Sequence, residues 1–217
     1  NAQLNIPEEN YEIFLNQINS RSEFKNLHIK FAIDDGISFI KLIIKVRNEI
    51  VAYKITEDEY DMDLVGKHLE CNEFNQAIDD NAIVIDMRNR YESEVGKFEN
   101  AITPDIDRSE ELLPTVKKLL QGHQDDKIIM YCTGGIRCEK ASSYLIKNGF
   151  NDVNQLKGGI IQYGHDIKNS KEKSKFIGKN FVFDYRMSEA ITKDIISNCH
   201  QCDGPSSRHT NCENQAC

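Results

Sequence analysis

No apolar run in this 217-residue chain approaches the roughly 20 residues needed to cross a bilayer, which excludes a membrane-spanning helix. Nothing near Asn1 has the basic-then-apolar layout of a signal peptide, so a soluble, cytoplasmic protein is the expectation. A surplus of positive charge is also missing: 27 Lys and Arg against 35 Asp and Glu leave a formal net charge of -8. A surface given over wholly to nucleic acid is excluded on that ground, although a local basic patch is not. No Gly-x-Gly-x-x-Gly marks a flavin or nicotinamide site, and no two-His-one-carboxylate cluster for iron can be identified. There is no internal repeat. The seven cysteines form an odd and uneven set: Cys71 alone, Cys132 with Cys138, then Cys199, Cys202, Cys212 and Cys217 crowded at the end. That distribution fits reactive and metal-binding roles in a reducing compartment better than a disulfide framework.

What is present is enough for one substantial core and a second small one, given 39% hydrophobic content. A chain that begins at Asn1 and ends on Cys217 inside a cysteine-rich stretch reads as a fragment of a longer protein. Residues 1–56 read as a partial α+β unit, with a strand remnant at Leu4 and Ile6. A helix follows, with Pro7 at its start, Glu8 and Glu9 at its positive end, and Tyr11, Phe14, Leu15 and Ile18 at helical spacing. Residues 27–33 and 38–46 then suggest a hairpin about Asp34-Asp35-Gly36. The acidic residues 57–64 read as a linker.

From 65 to 168 short apolar strands alternate with amphipathic helices, the pattern of an α/β domain on a parallel sheet flanked by helices. A strand over 82–85 ends at Asp86. Ser109 is the expected cap of a helix with Leu112, Val116, Leu119 and Leu120 on one stripe, Pro114 near its first turn and Gly122 as its stop. A strand over 127–131 delivers Cys132, a helix runs from about Arg137 to Asn148 with Gly149 as its left-handed stop, and 153–156 is expected as the last strand. Residues 169–217 turn basic and aromatic, then cysteine-rich.

The chemistry concentrates in Cys132-Thr133-Gly134-Gly135-Ile136-Arg137. Gly134 and Gly135 permit positive φ, so successive backbone N–H groups can converge on the sulfur as an anion nest. The helix start and the charge of Arg137 pull in the same direction, lowering a thiol pKa from about 8.5 toward neutrality. Four residues separate Cys132 from Arg137, one fewer than in the phosphate-sized loop of cysteine-dependent phosphatases, so the loop suits the sulfur of a persulfide better. Cys138 is a candidate resolving thiol or a packing residue. Asp86, Arg88 and Glu92 follow a neighbouring strand and could brace the site or form an ordinary surface network.

These residues carry a resemblance. The stretch from Asp86 to Glu92, with Gly96-Lys97-Phe98 and Ala101, resembles the first rhodanese signature, with Lys97 where many rhodaneses carry His. The run Tyr131-Cys132-Thr133-Gly134-Gly135-Ile136-Arg137-Cys138-Glu139-Lys140-Ala141-Ser142 is more particular. Taken with Gly158-Gly159-Ile160-Ile161, the run from Gly178 to Asp184 and Cys199-His200-Gln201-Cys202, it is similar to the rhodanese-containing oxygen-dependent tRNA uridine hydroxylases. The resemblance implies a partial ferredoxin-like unit, a rhodanese-like domain and a Cys-rich tail. It further implies conversion of wobble uridine 34 to 5-hydroxyuridine, tRNA as partner, molecular oxygen as co-substrate, and Cys132 as the essential, persulfide-capable residue. Two other classes stay open: a sulfurtransferase working through a Cys132 persulfide, and a non-catalytic rhodanese module used for binding.

Cys199, Cys202, Cys212 and Cys217 offer four thiolates at spacings that could hold zinc, with His200 or His209 as substitutes. For RNA contact the candidates are Lys179 and Arg186, among Lys168, Lys171, Lys173 and Lys175 and interleaved with Phe176, Phe181, Phe183 and Tyr185. The same segment also reads as a solvated connector followed by a core-packing strand.

Overall fold

The computed structural model of the protein describes residues 2–25, 27, 29, 36, 38, 39, 41–49, 51–170 and 172–210. It divides into two compact units: Asn1–Ile50 with Phe183–Arg186, and Val51–Val182 with Met187–Cys217. Among the described residues no helix is long and apolar enough to cross a membrane.

In the first unit the expected helix is present as α1, Tyr11–Asn19, entered through a 3-10 turn at Glu8–Asn10. Tyr11, Phe14, Leu15 and Ile18 are its half-buried residues while the others face solvent, which is the stripe their spacing called for. No strand forms at Leu4 or Ile6. The expected hairpin lies largely outside the described residues, and the described residues 42–46 are not in a strand. Arg186 pairs with Asp184 at 2.7 Å.

The second unit is built on a parallel sheet of β1 (Lys67–Leu69), β2 (Ile83–Asp86), β4 (Lys127–Tyr131) and β5 (Asp152–Leu156), in the order β1-β5-β4-β2. Side chains alternate across a strand, and β4 shows what this does to a run with no polar residue after Lys127. Ile128 and Met130 enter one core with Leu112, Val116 and Leu145, whereas Ile129 and Tyr131 enter the other with Phe74, Ile160 and Phe176. The first core is covered by α4 (Ser109–Leu119) and α5 (Ile136–Lys147), the second by α2 (Cys71–Asp79) and α6 (Gly159–Asn169). A strand buried on both faces must be apolar throughout, which is why KIIMY is legible as the centre of the sheet.

Several expected details are corrected. Ser109 is the first helical residue rather than the cap, which is Arg108. Pro114 falls in the middle of α4, on its exposed face, where water can replace the bond its missing N–H would have made. Leu119 is 45% exposed, and Leu113 takes its place in the core. Gly122 and Gly149 adopt the left-handed φ values of 92° and 87° expected of helix stops. The residues at 57–64 do not hang free as a linker. A 3-10 turn at Glu57–Glu59 is closed by a Thr56–Glu59 capping box, and the following chain is pinned to α5: Asp61 N–H donates to Ser143 Oγ at 2.6 Å and Gly66 N–H to Ser142 Oγ at 2.8 Å. That docking explains two buried serines inside a helix.

The strand at β5 is also not the last. A short helix α3 (Arg90–Ser93) leads into β3 (Gly96–Phe98), which pairs antiparallel with β6 (Phe176–Phe181), and β6 pairs with β7 (Ser188–Ala190). Phe176 and Phe181 are buried, as a core-packing strand requires, whereas Phe183 and Tyr185 are 49% and 61% exposed. Lys175 reaches Asp79 at 2.5 Å, and Lys168 lies 3.4 Å from Glu189. Lys171 lies outside the described residues.

Candidate active site

Four residues, Cys132 to Gly135, join β4 to α5, and Ile136 and Arg137 already belong to the first helical turn. Of the two expected left-handed glycines only Gly135 takes positive φ, 94°, as the N-cap of α5. That single reversal turns the backbone toward the sulfur. Gly135 N–H donates to Cys132 Sγ at 3.2 Å, and the N–H groups of Arg137 and Cys138 converge on the same atom. From behind, α6 holds the loop in place, with Ile160 N–H on the Cys132 carbonyl at 3.0 Å and Ile161 N–H on that of Thr133 at 3.1 Å. Gly159 has to be glycine here, since a Cβ would stand 2.5 Å from the Cys132 carbonyl oxygen and φ is 68°.

Cys132 is 1% exposed, yet its thiol is brought down to about 6. The largest cause is the Cys138 thiol, which donates a hydrogen bond to it. Burial opposes the shift, and the Arg137 charge and the backbone N–H groups assist it. Cys138, fully buried beside that thiolate, is pushed well above the usual thiol range. The two cysteines therefore divide one role, one as thiolate and the other as donor. Cys138 has none of the exposure a freely resolving thiol needs.

This has a pH signature. A depressed folded-state pKa contributes stability that is fully present above the unfolded thiol value of about 8.5 and lost as pH falls through the folded value, at about 1.4 kcal/mol per unit. Thiolate ultraviolet absorbance should titrate with a midpoint of about 6 in the wild type, and the midpoint should move up by at least about one unit in Cys138→Ala. An unmoved midpoint would show that the backbone nest alone holds the thiolate.

Arg137 does not reach out to solvent. Its Nη1 and Nη2 make a bidentate pair with Glu92 at 2.6 and 2.7 Å, and Thr133 Oγ lies 3.3 Å from both Glu92 and Arg137. The Glu92 side chain is fully buried and also accepts Asn89 N–H at 3.1 Å. Behind it Arg88, equally buried, clamps Asp86 through Nε at 2.8 Å and Nη2 at 2.6 Å, and donates to the carbonyls of Glu92 and Gly96. Tyr131 completes the set by donating to Asp86 at 2.7 Å. Asp86, Arg88 and Glu92 thus form a single interior brace rather than a surface network. One participant has no motif of its own: Tyr53, 2% exposed, donates to the Arg137 carbonyl at 3.1 Å and packs in the core that holds Cys132 and Cys138. The alternation of Val51, Tyr53 and Ile55 was the signal for it.

Lys179 is half-buried on β6, with its N–H on the Val95 carbonyl at 2.8 Å, and Arg186 belongs to the other compact unit. Cys199 and Cys202 lie in a turn, whereas Cys212 and Cys217 fall outside the described residues. Among the described residues no three metal-ligating side chains cluster.

Three stretches of the chain match known families. Residues 70–166 match the rhodanese-like domain, 177–217 the family described as rhodanase C-terminal, and 1–50 the UPF0176 acylphosphatase like domain. A tRNA uridine(34) hydroxylase from Leptospira interrogans is 52% identical over all of this chain and 60% of its own length. Its namesake in Escherichia coli strain HS is 48% identical over all of this chain and 63% of its own length. The chain is similar to these proteins along its whole length, and a stretch of it matches the rhodanese-like domain. It spans about 60% of their length. A solved rhodanese-like domain protein from Staphylococcus aureus, 22% identical, covers 45% of this chain and 90% of its own at a TM-score of 0.37.

Proposed function

We propose that this protein takes part in hydroxylating uridine 34 of tRNA to 5-hydroxyuridine in the cytoplasm, with molecular oxygen as co-substrate and Cys132 as the reactive residue. The observation that carries the reading is the identity of about half the residues over the whole chain to proteins named for that activity. The site supports it by supplying a thiolate at cellular pH. The rhodanese domain holds that thiolate, α6 and the Glu92–Arg137 pair fix the loop around it, and Cys138 keeps it charged.

A second reading, sulfur transfer through a Cys132 persulfide, is favoured by the N–H donors turned toward the Cys132 sulfur, which stabilise negative charge there. Silent binding modules commonly lack the cysteine altogether, so the non-catalytic reading ranks last. Nucleoside mass spectrometry separates the first two. Deleting the gene should remove 5-hydroxyuridine and its derivatives from tRNA, and the full-length gene should restore them. Unchanged nucleosides in the deletion strain, with robust cyanide-dependent thiocyanate formation by the pure protein, would overturn the hydroxylase reading in favour of sulfur transfer.

A further inference from the structure

One buried titratable side chain beside the Cys132 loop has no part yet in its chemistry, Tyr53. We propose that Tyr53 is a positioning residue for the Cys132 thiolate, its hydroxyl holding the first turn of α5 so that Gly135 keeps its N–H on the sulfur. This rests on the reading of Cys132 as the reactive residue and holds for either substrate that residue could serve.

Tyr53 comes from a short segment whose alternate residues face the first core. Tyr53 itself enters that core with Cys132 and Cys138, and Val51 and Ile55 pack against it. The segment is anchored on each side of the tyrosine. Tyr53 N–H donates to the Val51 carbonyl at 2.9 Å, and Lys54, at a φ of 54°, pairs with Glu110 in the first turn of α4. Held in this way and only 2% exposed, the side chain directs its hydroxyl to the Arg137 carbonyl, 3.1 Å away.

That carbonyl and the N–H of Cys138 are the two ends of one planar trans peptide, so fixing one end fixes the other. Cys138 N–H donates to the Gly135 carbonyl at 3.0 Å, and Gly135 N–H donates to Cys132 Sγ at 3.2 Å. Hydroxyl, peptide, glycine and sulfur therefore form a series. Gly135 is the link that most needs a hold, since it stands at a φ of 94° with no side chain of its own and glycine is the residue with the most freedom to lose. Burial, with the two nearby sulfurs adding to it, pushes the Tyr53 hydroxyl well above its ordinary range, so it keeps its proton and stays a donor.

Core filling alone does not account for the hydroxyl, because a phenylalanine would occupy the same space. Nor is it needed to satisfy a bare carbonyl: inside α5 the Arg137 carbonyl also faces the helical N–H of Ala141. What the hydroxyl adds is orientation. Arg137 is thereby held twice, at its guanidinium by Glu92 and at its backbone by Tyr53.

The test is Tyr53→Phe in the whole chain, which keeps the ring and removes the donor. Thiolate absorbance is taken as the difference from a matching chain carrying Cys132→Ser, so that only the one sulfur is read. The Cys132 midpoint should rise by about half a pH unit, leaving about one third of the wild-type thiolate at any pH well below it. Ile78→Val, which thins the other core, should lower the urea midpoint and leave the Cys132 midpoint in place. A Tyr53→Phe chain that titrates with the wild type overturns the proposal, and so does an Ile78→Val chain whose midpoint moves as far. Neither measurement involves tRNA or oxygen, so failure here is distinct from failure of the hydroxylase reading.

Discussion

In a strain lacking the gene, a full-length copy carrying Cys132→Ser should leave tRNA with no more 5-hydroxyuridine-derived nucleoside than the deletion itself. The expected loss is about 10³-fold or greater, because the substitution changes the acid rather than the shape. A serine hydroxyl can occupy the nest, accept the Gly135 N–H and face Cys138 much as the thiol does. It cannot shed its proton at cellular pH, however strongly those donors pull. The protein should therefore accumulate normally while the product disappears, and immunoblotting alongside the nucleoside analysis separates this from a folding defect. Restoration of wild-type nucleoside levels by the serine copy would remove the chemistry from Cys132.

The centre of this machine was legible in the chain because its parts are neighbours in sequence. Cys132, Gly135 and Arg137 lie within six residues, and the apolar run before them is a strand buried on both faces. The partner of Arg137 was harder to assign. Glu92 is 45 residues away, and only the parallel pairing of β2 with β4 brings the chain after Asp86 alongside the cysteine loop. Sequence could name Asp86, Arg88 and Glu92 as a group but not their burial, since a run of charges looks the same on a surface as in a satisfied interior network. Tyr53 escaped for a related reason: its contact with Arg137 spans 84 residues and carries no motif. The basic and aromatic segment allows two readings in sequence, and its β6 part follows the core-packing one. Phe176, Gly178 and Asn180 are all buried while Lys179 is only half so, an alternation of period two that signals a strand, and pairing with β3 carries the Phe176 ring into the core while Phe183 and Tyr185 stay exposed. The acidic stretch at 57–64 looks like a linker by composition, and composition does not reveal the Ser142 and Ser143 hydroxyls on α5 that dock it.

Replacing Arg137 by leucine should cost about 3–5 kcal/mol of unfolding free energy, because it strands the buried Glu92 carboxylate without its cation. The pair is bidentate at 2.6 and 2.7 Å, and Glu92 has no exposed side-chain surface through which water could substitute. Urea denaturation of the chain should show the midpoint falling, with the stability largely regained in Arg137→Leu/Glu92→Leu, since removing both charges of a buried pair is often neutral. Stability alone would not distinguish a brace from a contributor to reactivity, but the Cys132 titration does. The thiolate draws first on the Cys138 thiol and then, against the cost of burial, on the Arg137 charge. The double variant should therefore fold well and still ionise Cys132 at a higher pH than the wild type, below the value reached when Cys138 is also removed. A double variant whose titration matches the wild type would reduce Arg137 to a brace for the loop and leave the Cys138 hydrogen bond and the backbone nest as the sources of the reactive sulfur.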